Sequence, residues 1–209
     1  PAAGDVKKFA ALDQYDVLPV STEILSDFIT PIRAVRILKN VSSHVFMLES
    51  ARPDEERGRY TFLGFDPKLS LTLENGTLTV GNVTLKTQNP SAVIREILSH
   101  YKSPRFENLP PFSGGFVGYF AFDYFGYAEP KARTQVEDSE GFKDADLMLF
   151  DKVIAFDHLK QKIVLIANMS LADPETGYNK AVRELKDLAR LLRDGQMKAD
   201  EPGRLTGPI

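Results

Sequence analysis

The chain has no cysteine, which excludes a disulfide framework, a thiolate zinc site, iron–sulfur ligation and a cysteine nucleophile, and fits a reducing, cytoplasmic setting. It has no long apolar run either. The longest, such as Val153 to Phe156 and Ile163 to Ala167, are strand-sized, against the roughly 20 residues of a membrane helix. The opening Pro1-Ala2-Ala3-Gly4-Asp5 lacks the basic-then-apolar pattern of a secretory signal. Nor is there an excess of one charge: 26 basic and 29 acidic residues are interspersed and leave a formal charge of -3. A nucleic-acid or anionic-membrane surface would need a basic patch, so neither partner is expected.

Catalytic signatures are missing too. No G-x-x-x-x-G-K-[ST], H-E-x-x-H, EF-hand loop or G-x-S-x-G elbow occurs. His44, His100 and His158 fall in turns or near a helix end and read as solvated surface residues. The glycines of Ser113-Gly114-Gly115-Phe116-Val117-Gly118-Tyr119 are spaced G-G-x-x-G, unlike the dinucleotide fingerprint, and no acidic residue closes a βαβ unit after them. They are expected to let a strand bend or approach another backbone closely. Asn40, Asn75, Asn82 and Asn168 each open an N-x-S/T triplet, which reads as a turn or strand end rather than a glycan acceptor.

What the chain does have is enough apolar material for a core, 43% of 209 residues, in one large domain or two small ones. Ile32 to Leu38 and Val45 to Leu48 are β-branched and apolar enough to be paired strands around Asn40-Val41-Ser42-Ser43-His44. Asn75-Gly76 sits between alternating runs, so a two-residue turn sets Leu73 opposite Leu78 and Leu71 opposite Val80. Gly81-Asn82 repeats the device, setting Val80 opposite Val83 and Leu78 opposite Leu85. Asn89-Pro90 opens a helix whose Val93, Ile94, Ile97, Leu98 and Tyr101 share a face until Pro104. Asp173-Pro174 opens another, with Tyr178, Ala181, Val182, Leu185, Leu188, Ala189 and Leu192 in one stripe that ends before Gly195. Between the helices, Leu147 to Phe156 and Lys162 to Ala167 read as a hairpin buried on both faces. The pattern predicts an α+β fold, mostly antiparallel sheet with hairpins, covered by helices. Residues 1–195 form its domain, and residues 196–209 read as a linker. Phe116, Tyr119, Phe120, Phe122, Tyr124, Phe125 and Tyr127 fill a core or an interdomain face, and any that are exposed imply a partner surface.

Glu49 needs explaining, because it ends the apolar run Val45-Phe46-Met47-Leu48 and its charge wants a partner. An ion pair with Arg52, Arg57 or Arg59, or plain solvation, is one reading. Recognition of a small cation by Glu49 and Ser50 is the other.

Several blocks resemble the large subunit (component I) of anthranilate synthase. They are Thr30-Pro31-Ile32, Phe46-Met47-Leu48-Glu49-Ser50, Gly58 through Pro67, Pro111 through Tyr119 and Asp146 through His158, in that family's order. The resemblance implies that Leu48, Glu49 and Ser50 contact the feedback inhibitor L-tryptophan, with Arg59 and Tyr60 facing the same pocket. It implies a chain that is the amino-terminal, regulatory portion of an enzyme turning chorismate and an ammonia donor into anthranilate and pyruvate. The chorismate and Mg²⁺ residues then lie in a carboxy-terminal catalytic domain. A glutamine amidotransferase subunit (component II) is the implied partner, and no catalytic residue or cofactor is expected in this portion. Two alternatives stay open: the aminodeoxychorismate synthase large subunit of folate synthesis, and a free-standing amino-acid-binding or interaction module.

Overall fold

The computed structural model describes residues 3–50, 58–129, 131 and 141–196. Among them the strands are β1 (Val17–Leu25), β2 (Val45–Glu49), β3 (Tyr60–Phe65), β4 (Leu69–Glu74), β5 (Thr77–Val80), β6 (Val83–Lys86), β7 (Gly115–Phe120), β8 (Ala145–Phe150), β9 (Lys152–Asp157) and β10 (Lys162–Ser170). The helices are α1 (Ala3–Ala10), α2 (Pro31–Leu38), α3 (Pro90–Ser99), the short α4 (Phe125–Ala128) and α5 (Pro174–Asp194). The expected α+β class holds. Two antiparallel sheets form, ordered β1-β10-β9-β3-β2 and β6-β5-β4-β8-β7.

The meander follows the register that its turns dictate, with Leu73↔Leu78 and Leu71↔Val80 across Asn75-Gly76, then Val80↔Val83 and Leu78↔Leu85. Asn75 (φ 49°) and Gly76 (φ 76°) both take the left-handed conformation that a tight hairpin demands. Both expected proline-opened helices are present, capped by Asn89 accepting from Ala92 N–H and Asp173 accepting from Thr176 N–H, although α3 stops at Ser99 and leaves Tyr101 beyond it. Gly195 closes α5 with φ -65°, so left-handed freedom is not its role.

Two expectations fail. Ile32 to Leu38 is not a strand paired with Val45 to Leu48 but lies in α2, where the Thr30 side chain accepts from Arg33 N–H and Pro31 occupies the first turn. Ala34, Ile37 and Leu38 are its buried residues, a helical spacing. The β-branched residues suggested a strand, but Thr-Pro is the same opening device as Asn89-Pro90 and Asp173-Pro174.

The second failure is the run from Leu147 to Phe156, which is two strands in different sheets. β8 pairs with β4, setting Leu147 opposite Leu71, whereas only β9 pairs with β10, setting Ile154 opposite Leu165. The break falls at Asp151, whose carbonyl accepts from both the backbone N–H (2.9 Å) and the side-chain Nδ2 (3.0 Å) of Asn168. Asn168 Nδ2 also donates to Ser113 O at 2.6 Å, ahead of β7. That amide, in a glycosylation-type triplet, is thus committed inside the fold.

The main core lies on one face of the first sheet, where Leu18, Leu63, Ile154, Phe156, Ile163 and Leu165 meet α2 and α5. Val153, Ala155, Val164 and Ile166 pack on the opposite face with Tyr60, Phe62, Leu109 and Phe112. The second sheet has a smaller core of Leu71, Leu73, Leu78, Ala145 and Leu147 against Ile94 of α3. In β7, Gly118 (φ 156°) lies so close to Asp146 that a Cβ would overlap its carbonyl oxygen, the close approach expected of these glycines.

Candidate functional site

The residues singled out from the sequence meet at one end of the first sheet, where β2 is the edge strand. Leu48 pairs with Phe62 and Glu49 with Thr61. Because strand side chains alternate, Leu48 projects to the Phe62 face and Glu49 to the Thr61 face. Tyr60 shares the Phe62 face and stacks on its ring at 5.6 Å. Leu48 and Tyr60 therefore lie on one side of the ladder and Glu49 on the other, with Ser50 just beyond the strand.

On the Tyr60 side, Asp157 is opposite Tyr60 in register and only 4% exposed. Arg59 grips it with both arms of its fork, Nε to Oδ1 at 3.0 Å and a terminal nitrogen to Oδ2 at 2.6 Å. Lys160 N–H adds a third bond at 3.1 Å. Burial pushes the Asp157 carboxyl up, but the bonds from Arg59 and Lys160 and their positive charges outweigh it and hold it below its ordinary value. The Arg59 guanidinium is raised, chiefly by its bond to Asp157. It also sits 4.8 Å over the Tyr60 ring. The Tyr60 hydroxyl is raised, first by burial and then by the negative charge of Asp157. Arg59 is thus bound to Asp157, not to Glu49. A small polar cleft of about 100 Å³ opens here, lined by Glu23, Arg59, Tyr60, Asp157, Lys160 and Lys162.

On the other side, Glu49 is exposed and accepts from Thr61 Oγ1 at 3.3 Å, its one partner among the described residues. Thr61 is 1% exposed. Its hydroxyl also lies 2.8 Å from His158 Nε2. Arg52 and Arg57, the other ion-pair candidates, lie outside the described residues.

Leu48, 48% exposed, lines an apolar groove of about 380 Å³ with Leu98 of α3, Phe116 and Phe120 of β7 and Leu147 of β8. The groove thus joins the edge of the first sheet to that of the second.

Sequence reasoning missed Thr61, Asp157 and His158. Asp157 carries a signal in retrospect, a carboxylate closing the run Val153 to Phe156 as Glu49 closes Val45 to Leu48. Thr61 becomes visible only once the β2–β3 register is known. Among the described residues no three histidine, aspartate or glutamate side chains gather to hold a metal ion, and no helix is long and apolar enough to cross a membrane.

Comparison with known proteins reaches most of the chain. It is 33% identical over 203 residues to anthranilate synthase component 1 of Acetivibrio thermocellus, covering 95% of this chain and 40% of that protein. To the Pseudomonas aeruginosa protein of that name it is 33% identical, covering 88% and 38%. The crystal structure of anthranilate synthase component I from Streptococcus pneumoniae superposes with a TM-score of 0.51 at 26% identity, over 82% of this chain and 38% of that one. The chain thus spans about two fifths of the length of these relatives. The family described as chorismate binding enzyme matches residues 43–206, which take in the β2–β3 ladder, the β7 edge of the second sheet and the Asp157 ion pair, and the chain belongs to that family.

Proposed function

We propose that this chain is the amino-terminal regulatory portion of an anthranilate synthase large subunit and supplies one wall of its tryptophan feedback site. Residues 1–195 are the regulatory domain on this reading, and residues 196–209 lead to a catalytic domain. The full enzyme is a cytoplasmic lyase that converts chorismate and ammonia, delivered by a glutamine amidotransferase subunit, into anthranilate and pyruvate. On the same reading, Mg²⁺ would be held in that catalytic domain. The support is that both relatives carry the name anthranilate synthase component 1.

The observation that carries the inhibitor site is the two-sided edge at Leu48-Glu49. A carboxylate bonded only to Thr61 among the described residues stands on one side of β2, and an apolar groove opens at Leu48 on the other. As an edge strand, β2 also has backbone N–H and C=O groups turned away from β3. An amino acid laid across this edge meets Glu49 with its ammonium and the Leu48 groove with its indole, while Ser50 and the edge backbone reach its polar atoms. On the same face of the ladder, Tyr60 lies under the Arg59 guanidinium, which Asp157 holds in place.

Inhibition is then a coupling between two arrangements of the regulatory and catalytic domains, in which tryptophan favours the inactive one. Tyr119 (42% exposed), Phe120 (51%), Phe122 (87%) and Phe125 (56%) are the face against which the catalytic domain packs.

The test is Glu49→Ala in the complete subunit. Loss of a charge-assisted bond should raise the tryptophan concentration for half-inhibition about tenfold or more, with uninhibited turnover unchanged. Unaltered inhibition would remove Glu49 from the site.

A further inference from the structure

Thr61 is almost fully enclosed, yet its hydroxyl touches two side chains that reach solvent, Glu49 at 3.3 Å and His158 at 2.8 Å. A threonine hydroxyl carries one proton, and an ionised carboxylate can only accept. When that proton is directed at Glu49 Oε1, Oγ1 is left to accept, and the shorter contact is then an N–H of His158 donating to it. The reverse arrangement would send the proton to His158 and leave two oxygens facing each other at 3.3 Å with no hydrogen between them.

The framework around these groups is firm. Thr61 is β-branched and paired with Phe156 in register, which restricts its side-chain rotation. His158 extends the same ladder, its backbone N–H donating to Arg59 O at 2.9 Å. The turn that carries it is pinned by Lys160 N–H on Asp157 and by a left-handed Gln161 (φ 51°).

We infer that His158 is a positioning residue of the effector site. Protonated at Nε2, it holds the Thr61 hydroxyl so that its proton points at Glu49 and fixes the carboxylate that receives the ligand ammonium. The inference rests on the reading of Glu49 given above and extends it to the β9–β10 turn, which has no contact with ligand of its own.

Calorimetry of L-tryptophan with the complete subunit tests it. His158→Leu should weaken binding about fivefold or more, whereas His158→Gln, whose amide can still donate, should stay within about twofold of the parent. Thr61→Val should match His158→Leu, and the double variant should lose no more than either single one, as expected of groups acting in series. Nitrogen-15 spectra of histidine-labelled protein should show His158 protonated at Nε2 before any ligand is added.

Parent-like affinity in His158→Leu, equal weakness in His158→Gln, or a bare Nε2 each overturns the relay. Glu49→Gln separates the two levels. If it loses tryptophan while His158→Leu does not, the relay alone falls; if it binds as the parent does, the effector reading falls and the relay with it.

Discussion

The two sheets share one topology rule, antiparallel neighbours throughout, but differ in how they are closed. β9 and β10 of the first sheet are buried on both faces, with α2 and α5 over one side and Leu109 and Phe112 over the other. The second sheet packs α3 on a short core and ends at β7, whose Tyr119 and Phe120 stand in solvent. Near-continuous apolar runs mark the enclosed strands, and alternation marks the one-sided ones, as strand periodicity requires. The contrast shows where the fold is self-sufficient and where apolar surface is left for something else.

Core truncation should break the contrast most forcefully. Leu165→Ala, at the centre of β10 with no exposure, should cost about 2–5 kcal/mol in denaturant unfolding, with Leu78→Ala in the smaller core nearer the lower end. Equal losses at both positions would mean that the second core is as tightly closed as the first. Next is Gly118→Ala, where a positive φ and the overlap with Asp146 should cost about 1–3 kcal/mol. Hydrogen exchange should place that loss in β7 and β8 and leave β9 and β10 protected.

A smaller effect is expected at the ladder end. Arg59→Met should cost about 1–2 kcal/mol near neutral pH. Asp157 is held below its ordinary value when folded, so its contribution is fully present above about pH 4 and disappears as the pH falls through the lower, folded value. The gap between the parent and Arg59→Met should therefore close under acid, and a pH-independent gap would assign Arg59 a packing role instead. Smallest is Phe120→Ser on the open face, where loss of the ring contact with Tyr124 should change the stability of this chain by no more than about 1 kcal/mol. In the complete subunit it should loosen domain packing, read as faster proteolysis between the domains.

Local chemistry made most of the fold legible. Asn75-Gly76, Asn89-Pro90 and Asp173-Pro174 state their turn and caps within a few residues. Thr30-Pro31 states the same, but the β-branched Ile32, Val35 and Ile37 suit a strand as well, and tertiary burial of Ala34, Ile37 and Leu38 settled the choice. The division at Asp151 is marked locally only by the charged pair Asp151-Lys152 inside an apolar run, and its anchor, Asn168, is a partner distant in sequence. The candidate site divides in the same way. Glu49 stands out as a charge closing an apolar run, whereas Thr61 and His158 matter only through pairing across strands, which one strand's own sequence does not reveal. Alternation could have warned that Leu48 and Glu49 face opposite ways, so that a ligand touching both side chains must cross the strand edge.

The passage from β8 through Asp151 into β9 has an evolutionary consequence. One added or deleted residue there would turn every following side chain of β9 to the wrong face, putting Asp157 on the side of Phe156 while β8 stayed as it is. No loop is present to absorb the change. Sequences of this family should therefore keep a fixed length between positions 145 and 157 while varying freely at turns such as Gly81-Asn82, so this segment is a natural ruler for aligning distant members.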